Sequence, residues 1–150
     1  MWAKDIMETN VVTIRKETPV KKIAELMLKH KISGLPVVDR LGNVLGVVSE
    51  MDLMRQEIKP NEPNVWQVCL CGINSDQKLG EYQDSMRKWM AQNAGEIMTS
   101  PAISVDESDD LDTVGQLMFE RRIKRVVVTR QGKLAGIISR SAFVKRLLQR

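Results

Sequence analysis

Catalysis needs particular side chains in particular company, and this chain holds few of them. It has one histidine, His30, and two cysteines, Cys69 and Cys71, in a Cys-x-Cys arrangement. Two thiols and one imidazole fall short of a four-donor structural zinc site, and a lone histidine supplies neither a metal triad nor a general-base network. Thiols so close in sequence bridge poorly, so no disulfide framework is expected. Both read as semi-buried thiols within the apolar run 65–73. No Gly-x-x-x-x-Gly-Lys-Ser/Thr phosphate loop and no Gly-x-Ser-x-Gly nucleophile turn occurs. Asp109, Asp110 and Asp112 gather near the expected start of a helix, where carboxylates complement the helix dipole. The expectation is a binding protein with no catalytic residue, no metal site and no required cofactor.

The charges are unevenly spread. Residues 1–99 carry 13 basic and 13 acidic side chains, and residues 100–150 carry 10 basic and 6 acidic ones, so the net +4 lies in the last third. Such an excess suits nucleotide phosphate, nucleic acid or simple solubility. A nucleic-acid surface would draw on Arg121, Arg122, Lys124, Arg125, Lys145, Arg146 and Arg150, yet aromatic residues are only 4% of the chain. No helix-turn-helix signature accompanies them, so nucleic acid is the weaker reading. No apolar stretch nears the roughly 18–20 residues of a membrane span. The start, Met1-Trp2-Ala3-Lys4-Asp5, has no apolar signal core, so the expected setting is cytoplasmic, away from membranes.

What positions the remaining polar groups is an internal repeat. Sliding the chain by 91 residues sets Ile6-Met7 on Ile97-Met98, Leu26-Met27 on Leu117-Met118, Ile32 on Ile123 and Val37 on Val128. One residue then drops from a turn, and at a shift of 90 Gly42 meets Gly132, Gly46 meets Gly136 and Ser49 meets Ser139. Order kept over that length marks a duplicated unit. Each half reads as an extended piece (11–14, then 102–105) and a helix. Two strands around a glycine turn follow (35–39 and 44–49, then 126–130 and 134–139), and a last helix closes the half (50 to about 57, then 141–148). Thr18 and Asp109 are the expected helix caps, with Pro19 in the first turn of its helix. Residues 57–93 belong to neither half. Pro60, Asn61, Pro63 and Asn64 mark a loop, and Tyr82, Met86, Trp89 and Met90 recur at helical spacing, which predicts a packing helix.

Two βαββα units of this size, with Ile-Ser-Gly-Leu-Pro-Val-Val-Asp at 32–39 and Gly-Val-Val-Ser-Glu-Met-Asp at 46–52, resemble the cystathionine-β-synthase (CBS) domain family. The resemblance covers residues 4–56 and 94–149. It implies an α/β (α+β) fold with repeat 1 at 1–56, a partly helical insertion at 57–93 and repeat 2 at 94–150. The repeats are expected to pack as one pseudo-two-fold module, usually a homodimer, with two clefts between them that often hold adenosyl ligands.

The resemblance also implies roles for single residues. In the first cleft Asp52 would hold the ribose hydroxyls, Ser49 would approach ribose or phosphate, and Val47 and Met51 would line sugar and base. Ala102 and Ile103 would meet the adenine, and Lys124 and Arg125 the phosphate. These roles are chemically sound: a carboxylate can accept from both hydroxyls of a vicinal diol, and cations make charge-assisted bonds to phosphate. The second cleft departs from the pattern. Its ribose position is Ala142, Ser33 and Gly34 stand where the basic pair should be, Ser139 and Arg140 are the remaining polar candidates, and Val11, Val12 and Thr13 would line the base. A missing diol contact costs on the order of 1–3 kcal/mol, so this cleft is expected to be weaker, empty or used otherwise. Plainer roles fit the same residues: Asp52 as a helix-start charge, Ser49 as a cap, Lys124 and Arg125 as solvated cations, Gly34 and Pro36 as turn-to-strand geometry. The implied function is a non-catalytic regulatory, energy-sensing module. It would bind AMP, ADP or ATP, with S-adenosylmethionine as a further candidate, and act on an unknown protein target. The alternative is a ligand-free homodimeric scaffold.

Overall fold

The computed structural model describes residues 1–62 and 75–149. Cys69, Cys71, the apolar run 65–73, Pro63, Asn64 and Arg150 lie outside the described residues. The fold mixes helices and strands. After a 3-10 turn at Ala3–Asp5 come α1 (Val20–His30), β1 (Gly34–Val38), β2 (Val44–Ser49) and α2 (Glu50–Met54). The insertion supplies α3 (Ser75–Met90). Then follow α4 (Ala94–Ile97), β3 (Ser104–Asp106), α5 (Leu111–Glu120), β4 (Arg125–Arg130), β5 (Lys133–Ser139) and α6 (Arg140–Leu147). The helix read from the Tyr82–Met90 stripe is therefore present as α3.

The repeat holds in atomic detail. Ile23 and Val114, one shift apart, are both fully buried, as are Val37 and Val128; Met27 and Met118 are each 4% exposed. Both first helices end alike. Lys31 and Arg122 take left-handed backbone, φ 52° and 53°. Ile32 N donates to Met27 O at 3.0 Å and Ile123 N to Met118 O at 3.1 Å, a stop that satisfies carbonyls the helix itself leaves open. Both hairpin turns use a glycine at positive φ, Gly42 at 86° and Gly132 at 77°, a region that side chains other than glycine enter at a cost.

Where the halves differ, a residue explains it. In the second half β3 runs parallel to β4, and Val127 N donates to Ile103 O at 3.4 Å. The equivalent of Val127 is Pro36, which has no N–H to give. The expected first strand at 11–14 is thus reduced to one parallel bridge, Ile14 to Val37, held by Ile14 N to Pro36 O at 3.0 Å. Sheet topology follows: β1 and β2 form a two-stranded sheet, while β3, β4 and β5 form a three-stranded one with β4 and β5 antiparallel.

Two cap expectations need correction. Pro19, not Thr18, is the N-cap of α1, and the Thr18 hydroxyl accepts instead from Arg15 N at 3.0 Å. Asp110, not Asp109, precedes α5, and the Asp109 carboxylate turns back to accept from Asp106 N at 2.8 Å. The nearer loop backbone outcompetes the helix for each side chain.

The described chain forms two compact units that do not follow the repeat boundaries. One comprises Met1–Thr13, Val38–Gly46 and Ser100–Arg150; the other comprises Ile14–Val37 and Val47–Thr99. Each joins the opening segment of one repeat to the body of the other, and by matching bonds. In the first, Glu8 and Ile137 exchange both backbone bonds (2.9 and 3.0 Å), and Trp2 bridges Asp110. In the second, the equivalent Thr99 and Val47 do the same (2.9 and 3.1 Å), and Asn93 bridges Pro19. The first unit's core gathers Ala3, Val105, Leu111, Val114, Met118, Val126, Val128 and Ile138.

Gly136 is where the opening segment comes closest. A Cβ there would stand 2.7 Å from Glu8 O and 2.8 Å from Met7 Sδ. Gly136→Ala is therefore expected to destabilise the fold by about 1–3 kcal/mol, the usual cost of overpacking, read as a lower urea midpoint.

Candidate functional site

The Gly46–Asp52 stretch folds into the end of β2 and the start of α2, and its geometry comes from a cap. Ser49 is the N-cap and Asp52 the third helical residue. Asp52 Oδ2 accepts from Ser49 N at 2.8 Å and from the Ser49 hydroxyl at 3.1 Å, while Asp52 N reaches Ser49 Oγ at 3.4 Å. This is a reciprocal capping box with aspartate in the glutamate position. Val47 is tied to Thr99 through the backbone, and Met51 is 62% exposed.

The other carboxylate oxygen has a partner that the sequence did not signal. Lys88, on α3, places Nζ 2.5 Å from Asp52 Oδ1 and 2.9 Å from Thr99 Oγ1. Asp52 is 6% exposed and Lys88 8%, making them the buried charged residues among those described. Several bonds hold the end of α3 in place. Gln56 Nε2 donates to Lys88 O (2.5 Å) and Ala91 O (3.0 Å), and Arg87 Nη1 donates to Glu96 O at 2.5 Å. Arg87 also bonds Asp84 at 2.7 Å. That bond, more than the nearby charges of Lys88, Arg87 and Arg55, holds the Asp84 carboxyl below the ordinary carboxylate range.

Lys88 and Thr99 could not be read as site residues beforehand. Lys88 follows Arg87 in a polar stretch, the pattern of a solvated helix face. The available signal was indirect: a carboxylate drawn into a cap beside a buried strand needs a cation if it is to leave water.

The other expected residues of the first cleft belong to the unit containing residues 100–150. Ala102 is half-buried, Ile103 is 41% exposed, and Lys124 is exposed immediately before β4, whose first residue is the half-buried Arg125. Of the second-cleft residues, Val11 and Val12 are half-buried and Thr13 is exposed. Gly34 begins β1, and Ser33 O accepts from Glu50 N at 3.0 Å. Ser139 precedes α6 but makes no capping bond; its hydroxyl pairs with Ser141 Oγ at 2.7 Å. Arg140 is bound locally, Nε donating to Ile123 O and N to Lys124 O, both at 3.0 Å. With Ala142 in place of aspartate, the second repeat has neither the reciprocal cap nor the buried ion pair. His30 closes α1 on an exposed position. Among the described residues, no group of three or more His, Cys, Asp and Glu side chains is placed to hold a metal. No described helix is long and apolar enough to cross a membrane.

Comparison with known proteins fits this duplicated architecture. The CBS domain matches twice, over residues 3–59 and 94–149. This chain belongs to the CBS-domain family. Among curated relatives, an uncharacterised protein of Methanocaldococcus jannaschii is 26% identical over 99% of this chain and 92% of its own length. The chloroplastic CBS domain-containing protein CBSX2 of Arabidopsis thaliana is 30% identical over 93% of this chain, which spans 60% of that relative. A crystal structure of CBSX2 in complex with AMP matches with a TM-score of 0.82 at 28% identity, covering 99% of this chain and 97% of that one. A tandem CBS pair is thus what the duplicated sequence encodes.

The buried pair makes a clear energetic expectation. Removing one partner strands the other charge, which typically costs about 3–5 kcal/mol. Lys88→Met should lower stability by that order in urea unfolding. Adding Asp52→Asn should recover part of the loss, because no buried charge is then left alone.

Proposed function

We propose that this chain is a non-catalytic regulatory module that binds an adenine nucleotide, AMP, ADP or ATP. The observation that carries the reading is the likeness, over nearly the whole of both chains, to a CBS pair whose crystal structure is a complex with AMP. The ligand-facing groups are proposed to be Val47, Ser49, Met51 and Asp52, with Ala102, Ile103, Lys124 and Arg125. Asp52 takes the ribose diol and the basic pair takes phosphate, so that phosphate number is sensed as charge. The weaker, second site is proposed to take Val11, Val12, Thr13, Ser33, Gly34, Ser139 and Arg140, with Ala142 at the ribose position. A ligand of this kind regulates only through unequal affinity for two arrangements of the protein, and its effect is passed to a protein target.

The module is further proposed to work as a homodimer. Leu28 and Phe119 occupy equivalent positions on α1 and α5, and they are 81% and 86% exposed. Large apolar side chains repeated on the outer face of two equivalent helices fit an interface better than a solvated surface.

The test is calorimetric titration of AMP, ADP and ATP into the protein, beside Asp52→Ala checked for folding by circular dichroism. Binding near one site per chain is expected, weakened at least about tenfold by the substitution, or about 1.4 kcal/mol. Binding untouched by Asp52→Ala would move the ligand away from this carboxylate. Silence with all three nucleotides and with S-adenosylmethionine would favour a ligand-free scaffold. For assembly, Leu28→Glu with Phe119→Glu should convert dimer to monomer in sedimentation velocity, and a wild-type chain that sediments as a monomer would rule the dimer out.

A further inference from the structure

The carboxylate assigned to the ribose is already occupied. Its Oδ2 carries two bonds from Ser49, its Oδ1 carries the Lys88 ammonium at 2.5 Å, and the side chain is buried. A carboxylate offers about four lone-pair positions, and a vicinal diol requires two of them. A diol and the full present set of partners cannot all be served, so one must leave.

The bonds from Ser49 are local to the cap, three residues away, and they fix the start of α2. The bond from Lys88 comes from α3, across 36 residues of sequence, on a flexible four-carbon stem. A second acceptor stands beside it, Thr99 Oγ1 at 2.9 Å. The end of α3 is itself pinned by Gln56 and Arg87. The part free to yield is therefore the ammonium, which can keep Thr99 while releasing Asp52, with no movement of the helix.

We propose that Lys88 is an internal competitor for Asp52. Ribose hydroxyls bind by displacing its ammonium from Asp52 while it keeps its bond to Thr99, and Lys88 thereby sets both the affinity for nucleotide and the demand for a full ribose diol. This rests on the nucleotide reading above and adds to it a residue from outside the repeats. The insertion then tunes the ligand site through one side chain.

The experiment compares AMP and 2′-deoxyAMP binding by calorimetry in the wild type, Lys88→Met and Thr99→Val, each with its fold checked by circular dichroism. Lys88→Met is expected to bind AMP at least about tenfold more tightly and to favour AMP over 2′-deoxyAMP more strongly than the wild type, because the freed oxygen takes the second hydroxyl. Thr99→Val removes the ammonium's alternative acceptor while keeping the ion pair, and should weaken AMP binding. A purely structural role for Lys88 would weaken binding in both variants and leave the AMP to 2′-deoxyAMP ratio unchanged. If the wild type binds AMP and Lys88→Met binds it equally or less tightly, the competitor is refuted while the nucleotide reading stands. Should Lys88→Met fail to fold, AMP binding by Thr99→Val at wild-type strength refutes it alone. If no form of the protein binds any nucleotide, the nucleotide reading fails and this inference fails with it.

Discussion

An ammonium and a carboxylate meet out of water where α2 begins, and much of that unit is arranged around their meeting. Two charges leave solvent at a cost of several kcal/mol each, which their attraction offsets only when the remaining lone pairs and protons are also served. Here Ser49 serves one oxygen of Asp52, Lys88 the other, and Thr99 takes a second proton of the ammonium. The supporting bonds reach outward from there. Gln56 and Arg87 fasten the end of α3, and Thr99 is itself held by a two-bond bridge to Val47. Three separate stretches of chain, the end of β2 with α2, the insertion helix and the opening of repeat 2, are fixed to one another by a single polar cluster.

The contrast between the repeats gives this cluster its meaning. Ser49 and Ser139 occupy the same position, yet only the first has an aspartate three residues on, and only the first caps its helix. The two equivalent positions therefore differ in kind: one carries a buried charge with its partners, and the other carries Ala142. The backbone bond from Arg140 N to Lys124 O repeats that from Glu50 N to Ser33 O, and the second copy adds one side-chain bond, Arg140 Nε to Ile123 O.

How much of this was legible in the sequence follows the range of each interaction. The repeat could be read because burial recurs at a fixed spacing, so Met27 and Met118, or Val37 and Val128, announce their shared environment. The turn glycines were legible because positive φ restricts residue choice. The caps at Thr18 and Asp109 were misplaced by a residue because each side chain had a closer backbone donor in its own loop. The shortened first strand was latent in Pro36, but only once its partner in the parallel ladder was known. Lys88 was illegible, since its burial depends on what stands 36 residues earlier in the chain. The grouping of each opening segment with the body of the other repeat was equally hidden, because sequence similarity reports kinship between segments and not which of them touch.

That exchange of opening segments bears on the time course of folding. The unit built from residues 14–37 and 47–99 draws its described elements from the first two thirds of the chain, which a ribosome delivers first. The other unit cannot close so soon: Ala3 packs with Leu111 and Ile138, and Glu8 must find Ile137. Contacts at such separation give a high contact order, which slows folding because the loop must be closed before its reward is gained. Residues 1–13 therefore cannot complete their contacts until residues 100–149 have been made, and the closing of this unit is the later step.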